Sequence, residues 1–156
     1  MKILFINGPN LNMLGSRDPK QYGSQTLSDI EGYVRQRAET ILHKSSEHKV
    51  EVEFFQSNHE GDIVEKVQNA PGSSVDGIVI NAGALTHYGI SMRDSLVDSK
   101  LPIIEVHLSN IHAREPFRHK SVISDVAVGQ IVGLGWRGYE FALEFLVGHL
   151  LKETSS

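Results

Sequence analysis

Short apolar segments alternate with helix-like segments along almost the whole of this chain. Five are rich in Ile, Val and Phe and have the length of a strand: residues 2–7, 50–56, 77–81, 102–107 and one within 122–133. In the stretches between them, apolar residues recur with the period of an α-helix: residues 26–44, around 63–67, 90–98 and 136–150. Because strands that alternate with helices build parallel sheets, we predict an α/β fold with helices on both faces.

The strand order that we predict for these five units is 2-1-3-4-5, the order of flavodoxin-like, doubly wound sheets with right-handed crossovers. The chain has 156 residues, which is near the usual length of one domain, and it contains no internal repeat or Pro/Ser-rich linker. We therefore predict one domain over residues 1–156.

Capping signals predict where two of the helices begin. Thr26 with Asp29 predicts a capping box for the first helix, whose apolar residues continue to about Lys44. Ser57 with Glu60 predicts a second capping box after the second strand.

Charge and residue types narrow the range of functions. The chain carries 15 Lys and Arg against 19 Asp and Glu, a net charge of −4, which does not favour binding to nucleic acid phosphates. No apolar stretch approaches the roughly 18 residues of a membrane span, and the amino terminus runs directly into a strand, so we expect a cytoplasmic protein. There is no Cys, so the chemistry depends on His, Tyr, Arg, Asp, Glu, Ser and Asn.

Polar side chains gather after the carboxyl ends of the predicted strands, where open α/β sheets bind ligands. Most of them lie in two predicted loops, residues 8–25 and 108–120, and in residues 81–94 at and after the end of the third strand: Asn10, Asn12, Arg17, Tyr22, Asn81, His87, Asp94, Ser109, Arg114 and Arg118. Residues 7–17 supply neither the Ser/Thr and Gly set of a flavin phosphate loop nor the Asp of a phospho-acceptor domain. We therefore predict a polar site for a small molecule.

Two pairs in this region have spacings that suit acid and base chemistry. Glu105 and His107 are two residues apart on a strand and share one face, so the carboxylate can orient the imidazole as a proton donor; His107 can equally be a structural histidine. Arg17 lies five residues before Tyr22, and a nearby cation favours the phenolate; an exposed loop tyrosine with a solvated arginine is the alternative.

The remaining polar residues carry weaker signals. His107, His112 and His119 are five and seven residues apart, which matches no compact ligand motif, so we predict no metal site. The basic residues from 114 to 120 form either a solvated loop surface or a site for an anionic small molecule. Asn81 can simply cap the turn at Gly83.

Four blocks of the sequence closely resemble type II 3-dehydroquinate dehydratases: residues 6–23 (INGPNLNMLGSRDPKQYG), 58–68, 77–96 and 105–143. They cover nearly the whole chain in the family's order. The resemblance implies a flavodoxin-like fold and a homododecamer built as a tetramer of trimers. It also implies anti elimination of water from 3-dehydroquinate to 3-dehydroshikimate through an enolate, without cofactor or metal, in the shikimate pathway or in quinate breakdown.

The resemblance also implies roles for individual residues. By position, Tyr22 is the base, Arg17 its activating arginine, His107 the general acid, and Asn10 orients the tyrosine or a bound water. The residues that correspond to substrate-binding positions are Asn81, Leu108 and Ser109 for the carboxylate, His87 and Arg118 for the ring hydroxyls, Arg114 as a loop-closing contact, and Asp94 reaching a neighbouring subunit's site.

One block departs from the family pattern. Residues 85–89 read LTHYG, with Leu85 and Tyr88-Gly89 where many members carry Tyr and Thr-Ser, although His87 is retained.

A second function of another class stays open beside the enzyme. A flavodoxin-like module that binds an anionic or flavin ligand without turnover would be yellow on purification, whereas the enzyme would generate the absorbance of an enone.

Overall fold

Five parallel strands form one sheet in the computed structural model, which describes residues 1–42 and 48–154, with side chains to residue 152. The strands are β1 (Lys2–Asn7), β2 (Glu51–Gln56), β3 (Gly77–Asn81), β4 (Ile103–His107) and β5 (Gly129–Val132). Their order is β2-β1-β3-β4-β5, so the predicted fold and strand order are confirmed. The prediction placed β1 and β3 correctly and began β2 and β4 one residue early.

Helices connect the strands: α1 (Pro19–Tyr22), α2 (Leu27–Thr40), α3 (Glu60–Asn69), α4 (Ile90–Ser99) and α5 (Arg137–Thr154). The predicted capping box of α2 is present, since Thr26 and Asp29 each accept a hydrogen bond from the backbone N–H of the other. This helix ends at Thr40, and the predicted end at Lys44 lies outside the described residues. None of the described helices is long and apolar enough to cross a membrane.

The second predicted capping box is wrong. The residue that precedes α3 is His59, and it makes no side-chain capping bond. Ser57 instead donates to Asp62 Oδ2 at 2.5 Å, and its hydroxyl accepts from the backbone N–H of His59. Glu60 turns away to another helix, where its Oε1 accepts from the N–H of Met92 at 3.0 Å, near the start of α4. The Glu60 side chain thus caps α4 rather than its own helix.

Both predicted loops contain short helices. Residues 8–25 include a 3-10 turn at Leu11–Met13 as well as α1, and residues 108–120 include 3-10 turns at Ile111–Ala113 and Pro116–Arg118. Asp18 caps α1, because its Oδ1 accepts from the N–H of Lys20 at 3.0 Å. Tyr22 is therefore the last residue of a one-turn helix and not part of an irregular loop.

Two apolar layers cover the two faces of the sheet, as predicted. Alternate strand residues such as Phe5 pack with α2 and α5, and the intervening ones such as Ile6 pack with α3 and α4. Nearly every residue of β1, β3 and β4 is buried, which is typical of central parallel strands. The layers fix the carboxyl ends of these strands side by side, and the polar residues that follow them meet there.

Candidate active site

One cleft opens at the carboxyl ends of β1, β3 and β4. Ten of the eleven site residues predicted from the sequence line it: Asn10, Arg17, Tyr22, Asn81, His87, His107, Leu108, Ser109, Arg114 and Arg118. The lining also includes residues that the sequence did not single out, namely Pro9, Leu11, Gly83, Ala84 and Ile111. The cleft therefore has few apolar walls and many convergent polar groups, which is more polar than the usual small-molecule site and suits a polar, charged ligand.

Two arginines flank Tyr22 at one side of the cleft. The Nη2 atom of Arg17 donates to the phenolic oxygen at 3.1 Å, and its guanidinium carbon lies 3.9 Å from the ring centroid. The guanidinium carbon of Arg114 lies 5.3 Å from the same centroid. Tyr22 also packs against the core layer of α2 and α5, which fixes the ring. The phenolic oxygen is thus held in place beside positive charge.

A buried carboxylate holds His107 in place. Glu105 is 0% exposed, and its Oε1 lies 2.6 Å from Nε2 of His107. Two hydroxyls complete the shell around this carboxylate: Thr86 Oγ1 at 2.5 Å and Ser121 Oγ at 2.9 Å. Burial by itself raises the pKa of the Glu105 carboxyl, but the hydrogen bonds from His107, Thr86 and Ser121 outweigh it and hold the pKa below its ordinary value.

The Asn81 amide is fixed from both ends. Its Nδ2 atom donates to Tyr139 Oη at 2.9 Å, and its Oδ1 accepts from the N–H of Gly83 at 3.2 Å. Tyr139 in turn donates to Asn7 Oδ1 at 2.7 Å, and burial raises the pKa of this tyrosine, so it stays neutral. Asn81 therefore caps the turn at Gly83 and also lines the cleft.

The other cleft residues are held by local bonds. His87 Nδ1 lies 2.7 Å from the carbonyl of Lys120, so that nitrogen carries a hydrogen and donates it. Arg114 donates to Ser109 Oγ at 3.0 Å, and Arg118 donates to Glu115 at 2.8 Å. Asn10 adopts the left-handed conformation with φ 67°, which Asn tolerates better than most residues.

Three predicted features lie outside the cleft lining. Asp94 is exposed on α4 and does not line the cleft. The ring centroids of His112 and His119 are 6.0 Å apart, but the described residues contain no group of three or more His, Asp or Glu side chains arranged to hold a metal ion. The departing residues Leu85, Tyr88 and Gly89 also lie outside the lining.

The structure explains the glycine at position 89, which the sequence alone did not. A Cβ atom at this position would lie 2.8 Å from the carbonyl oxygen of Leu85 and 3.2 Å from Oε1 of Glu60. Because Gly89 has no side chain, the Glu60 carboxylate reaches the start of α4 and supplies the cap that a Ser at this position would otherwise provide.

Sequence reasoning missed Thr86, Ser121 and Tyr139 as supporting residues. Thr86 and Ser121 are 35 residues apart and meet only because both segments pack over Glu105. Tyr139 falls at an apolar position of α5, and its buried hydroxyl could have signalled a polar partner in the core.

A family model, two curated relatives and a solved structure show what the chain is similar to. The family model described as Dehydroquinase class II matches residues 1–147. A 3-dehydroquinate dehydratase of Roseiflexus castenholzii is 56% identical to this chain over 148 residues, which cover 95% of this chain and 89% of the relative. Another 3-dehydroquinate dehydratase, of Synechococcus sp., is 54% identical over 150 residues, which cover 96% of this chain and 97% of the relative. The crystal structure of a type II dehydroquinase from Butyrivibrio crossotus superposes with a TM-score of 0.87 at 47% identity, covering 94% of this chain and 97% of that one.

Proposed function

The chain belongs to the dehydroquinase class II family, and from this membership we propose that its cleft dehydrates 3-dehydroquinate to 3-dehydroshikimate by anti elimination through an enolate. The observation that carries the proposal is that Tyr22 and His107 line one cleft, each bound to its own charged partner. A base after β1 and an acid at the end of β4 provide the two separate proton-transfer groups that an elimination across two carbons needs.

Tyr22 is the base in this scheme. A C–H bond beside a ketone is a weak acid, so a phenolate held beside a cation is needed to take the proton. The electron pair of that C–H bond moves toward the ketone oxygen and forms the enolate. Arg17 keeps the phenolic oxygen in place at 3.1 Å, and Asn10 orients the tyrosine or a bound water from the same segment.

His107 is the acid of the second step. The enolate re-forms its carbonyl, a carbon–carbon double bond forms, and the bond to the hydroxyl on the next carbon breaks. The departing oxygen takes a proton from His107, so the products are the enone and one water. Nε2 of His107 donates to Glu105, so the proton that is transferred is the one on Nδ1 of the imidazolium form, and the ring is left neutral with its hydrogen on Nε2.

The remaining cleft residues bind the substrate. We assign its carboxylate to Asn81 and to Leu108 and Ser109, the two residues that follow β4. His87 and Arg118 then engage the ring hydroxyls. Arg114, which touches both the Tyr22 ring and Ser109, closes the cleft over the bound molecule.

The assignment is tested by mixing the purified protein with 3-dehydroquinate in the presence of a chelator. We expect ultraviolet absorbance of the enone product to grow at an undiminished rate after exhaustive chelation, because the described residues offer no ligand set for a catalytic metal. Failure to turn over, or a yellow protein that only binds, would favour the binding module. Loss of turnover that one divalent ion restores would overturn the cofactor-free scheme.

We also propose the homododecamer that is expected for this family, with the protein in the cytoplasm. Asp94 supports the assembly because it is exposed on α4, away from its own cleft, where it is available to a neighbouring copy. Light scattering at micromolar concentration should give the mass of twelve chains. Asp94→Ala should weaken both assembly and substrate affinity, whereas Asp98→Ala, also exposed on α4, should change neither. A monomeric or dimeric wild type would contradict the proposal.

A further inference from the structure

We propose that Thr86 and Ser121 are positioning residues, which together form a hydroxyl clamp that keeps Glu105 ionised and thereby fixes the proton of His107 on Nε2. This inference rests on the proposed function, because His107 matters here as the acid of the elimination. It concerns two residues that do not line the cleft and act only through the buried carboxylate.

Hydrogen-bond accounting determines the direction of each proton in the clamp. Ser121 Oγ already accepts from the backbone N–H groups of Ile123 at 3.2 Å and Ser124 at 3.0 Å, so both of its lone pairs are used. Its own proton has two possible acceptors, Thr86 Oγ1 at 3.2 Å and Glu105, whose two oxygens both lie at 2.9 Å, and the closer, buried carboxylate is the stronger acceptor. Thr86 Oγ1 lies 2.5 Å from Oε1 of the same carboxylate.

A protonated Glu105 would have to donate its O–H to Nε2 of His107, because Ser121 has no lone pair left and Thr86 donates to the carboxylate. Imidazole is a stronger base than a carboxylate, so this proton belongs on Nε2 and Glu105 is ionised. The carboxylate form instead accepts from both hydroxyls and from the imidazole. With both hydroxyls donating, Nε2 of His107 must carry a hydrogen, and Nδ1 is the nitrogen that exchanges protons with the cleft.

The clamp also joins the two segments that bind substrate. Thr86 precedes His87 in the 3-10 turn after β3, and its carbonyl accepts from the N–H of Val122 at 2.8 Å. Ser121 lies three residues after Arg118. The backbone bond between Val122 and Thr86 holds the two segments together without the clamp hydroxyls, so the loss of one hydroxyl should affect the proton transfer more than substrate binding.

The clamp predicts the direction in which the pH dependence of kcat changes when a hydroxyl is removed. Several titratable or charged side chains lie on the elements packed around Glu105. His107 is on the same strand, and His87 follows Thr86 in the turn after β3. The others are Arg118 and Lys120, which precede Ser121, and the ion pair of Arg93 with Asp125. The clamp hydroxyls lower the pKa of the Glu105 carboxyl, so removing one raises it. Protonation of Glu105 then sets in at a higher pH, and the acidic limb of the kcat profile moves upward.

The variants Thr86→Val and Ser121→Ala test the clamp. Each should lower kcat about tenfold, since each deletes a hydrogen bond to a buried charge, and should leave KM within about threefold. The acidic limb of the kcat profile should move to higher pH by about one unit, the shift that corresponds to a tenfold change in proton affinity. Thr86→Ser keeps the hydroxyl, so its kcat and the position of its acidic limb should match those of the wild type. Ser124→Ala removes an exposed hydroxyl from the same turn and should match the wild type.

A second measurement does not depend on turnover. Solid-state NMR of protein labelled with 15N-histidine should show the neutral form of His107, identified by its absence from His107→Ala, with its one ring hydrogen on Nε2. In the variant that combines Thr86→Val with Ser121→Ala, the same resonance should show a mixture of tautomers. If the wild type does not turn over 3-dehydroquinate, the proposed function fails while the NMR result still decides the clamp. Variants that lose activity without a shifted acidic limb and without a tautomer change would overturn the clamp.

Discussion

Tyr22→Phe should slow the dehydration of 3-dehydroquinate by at least about 10²-fold while the protein still binds its substrate. The substitution removes only the phenolic oxygen and keeps the ring. The contacts of that ring with Arg17, with Arg114 and with the core layer of α2 and α5 therefore persist, and no cavity forms. The loss of rate can then be assigned to the missing base rather than to a disturbed fold.

Three measurements check this result. Turnover follows the enone absorbance, calorimetry reports substrate affinity, and a thermal melt reports stability. Tyr88→Phe is the matched control, because Tyr88 is 63% exposed and lies outside the cleft, so its turnover should equal that of the wild type. If Tyr22→Phe turns over within a few-fold of the wild type, Tyr22 is not the base and another group near the end of β1 has that role.

The sequence predicted the sheet well because the sheet depends on local periodicity. Central strands such as β1 and β3 are buried on both faces, so their apolar runs end where the strands end. The one-turn helix α1 was missed because four residues carry no period. Its signal was present all the same, since Asp18 followed by Pro19 is the usual start of a helix.

Contacts between distant segments could not be predicted from spacing. The Ser57 and Glu60 pattern satisfies the rule for a capping box, yet each side chain has a partner elsewhere: Asp62 for Ser57 and the N–H of Met92 for Glu60. The predicted site residues came together because they follow neighbouring strands. The bonds that orient them come from segments whose packing no sequence rule specifies, as with Tyr139 and Asn81.

His107→Ala should slow turnover by about 10²-fold to 10⁴-fold, the usual contribution of a positioned general acid. The protein should remain folded near neutral pH, because Thr86 and Ser121 still donate to the buried Glu105 carboxylate. His112→Ala is the matched control, since His112 is exposed and does not line the cleft, and its turnover should be unchanged. Near-normal turnover of His107→Ala would make His107 a structural histidine.

The same variant has a second expected effect, on stability in acid. The pKa of the Glu105 carboxyl is lower in the folded protein than in the unfolded chain. The ionised carboxylate therefore stabilises the fold at every pH above the pKa of the unfolded chain. This stabilisation is lost as the pH falls through the pKa of the folded protein. Without His107 one donor to the carboxylate is gone and the folded pKa rises. His107→Ala should therefore begin to unfold at a higher pH than the wild type in an acid titration followed by circular dichroism, whereas His112→Ala should not. Identical acid transitions for the two variants would mean that His107 does not support the ionised Glu105, and the pairing of acid and carboxylate would lose its energetic basis.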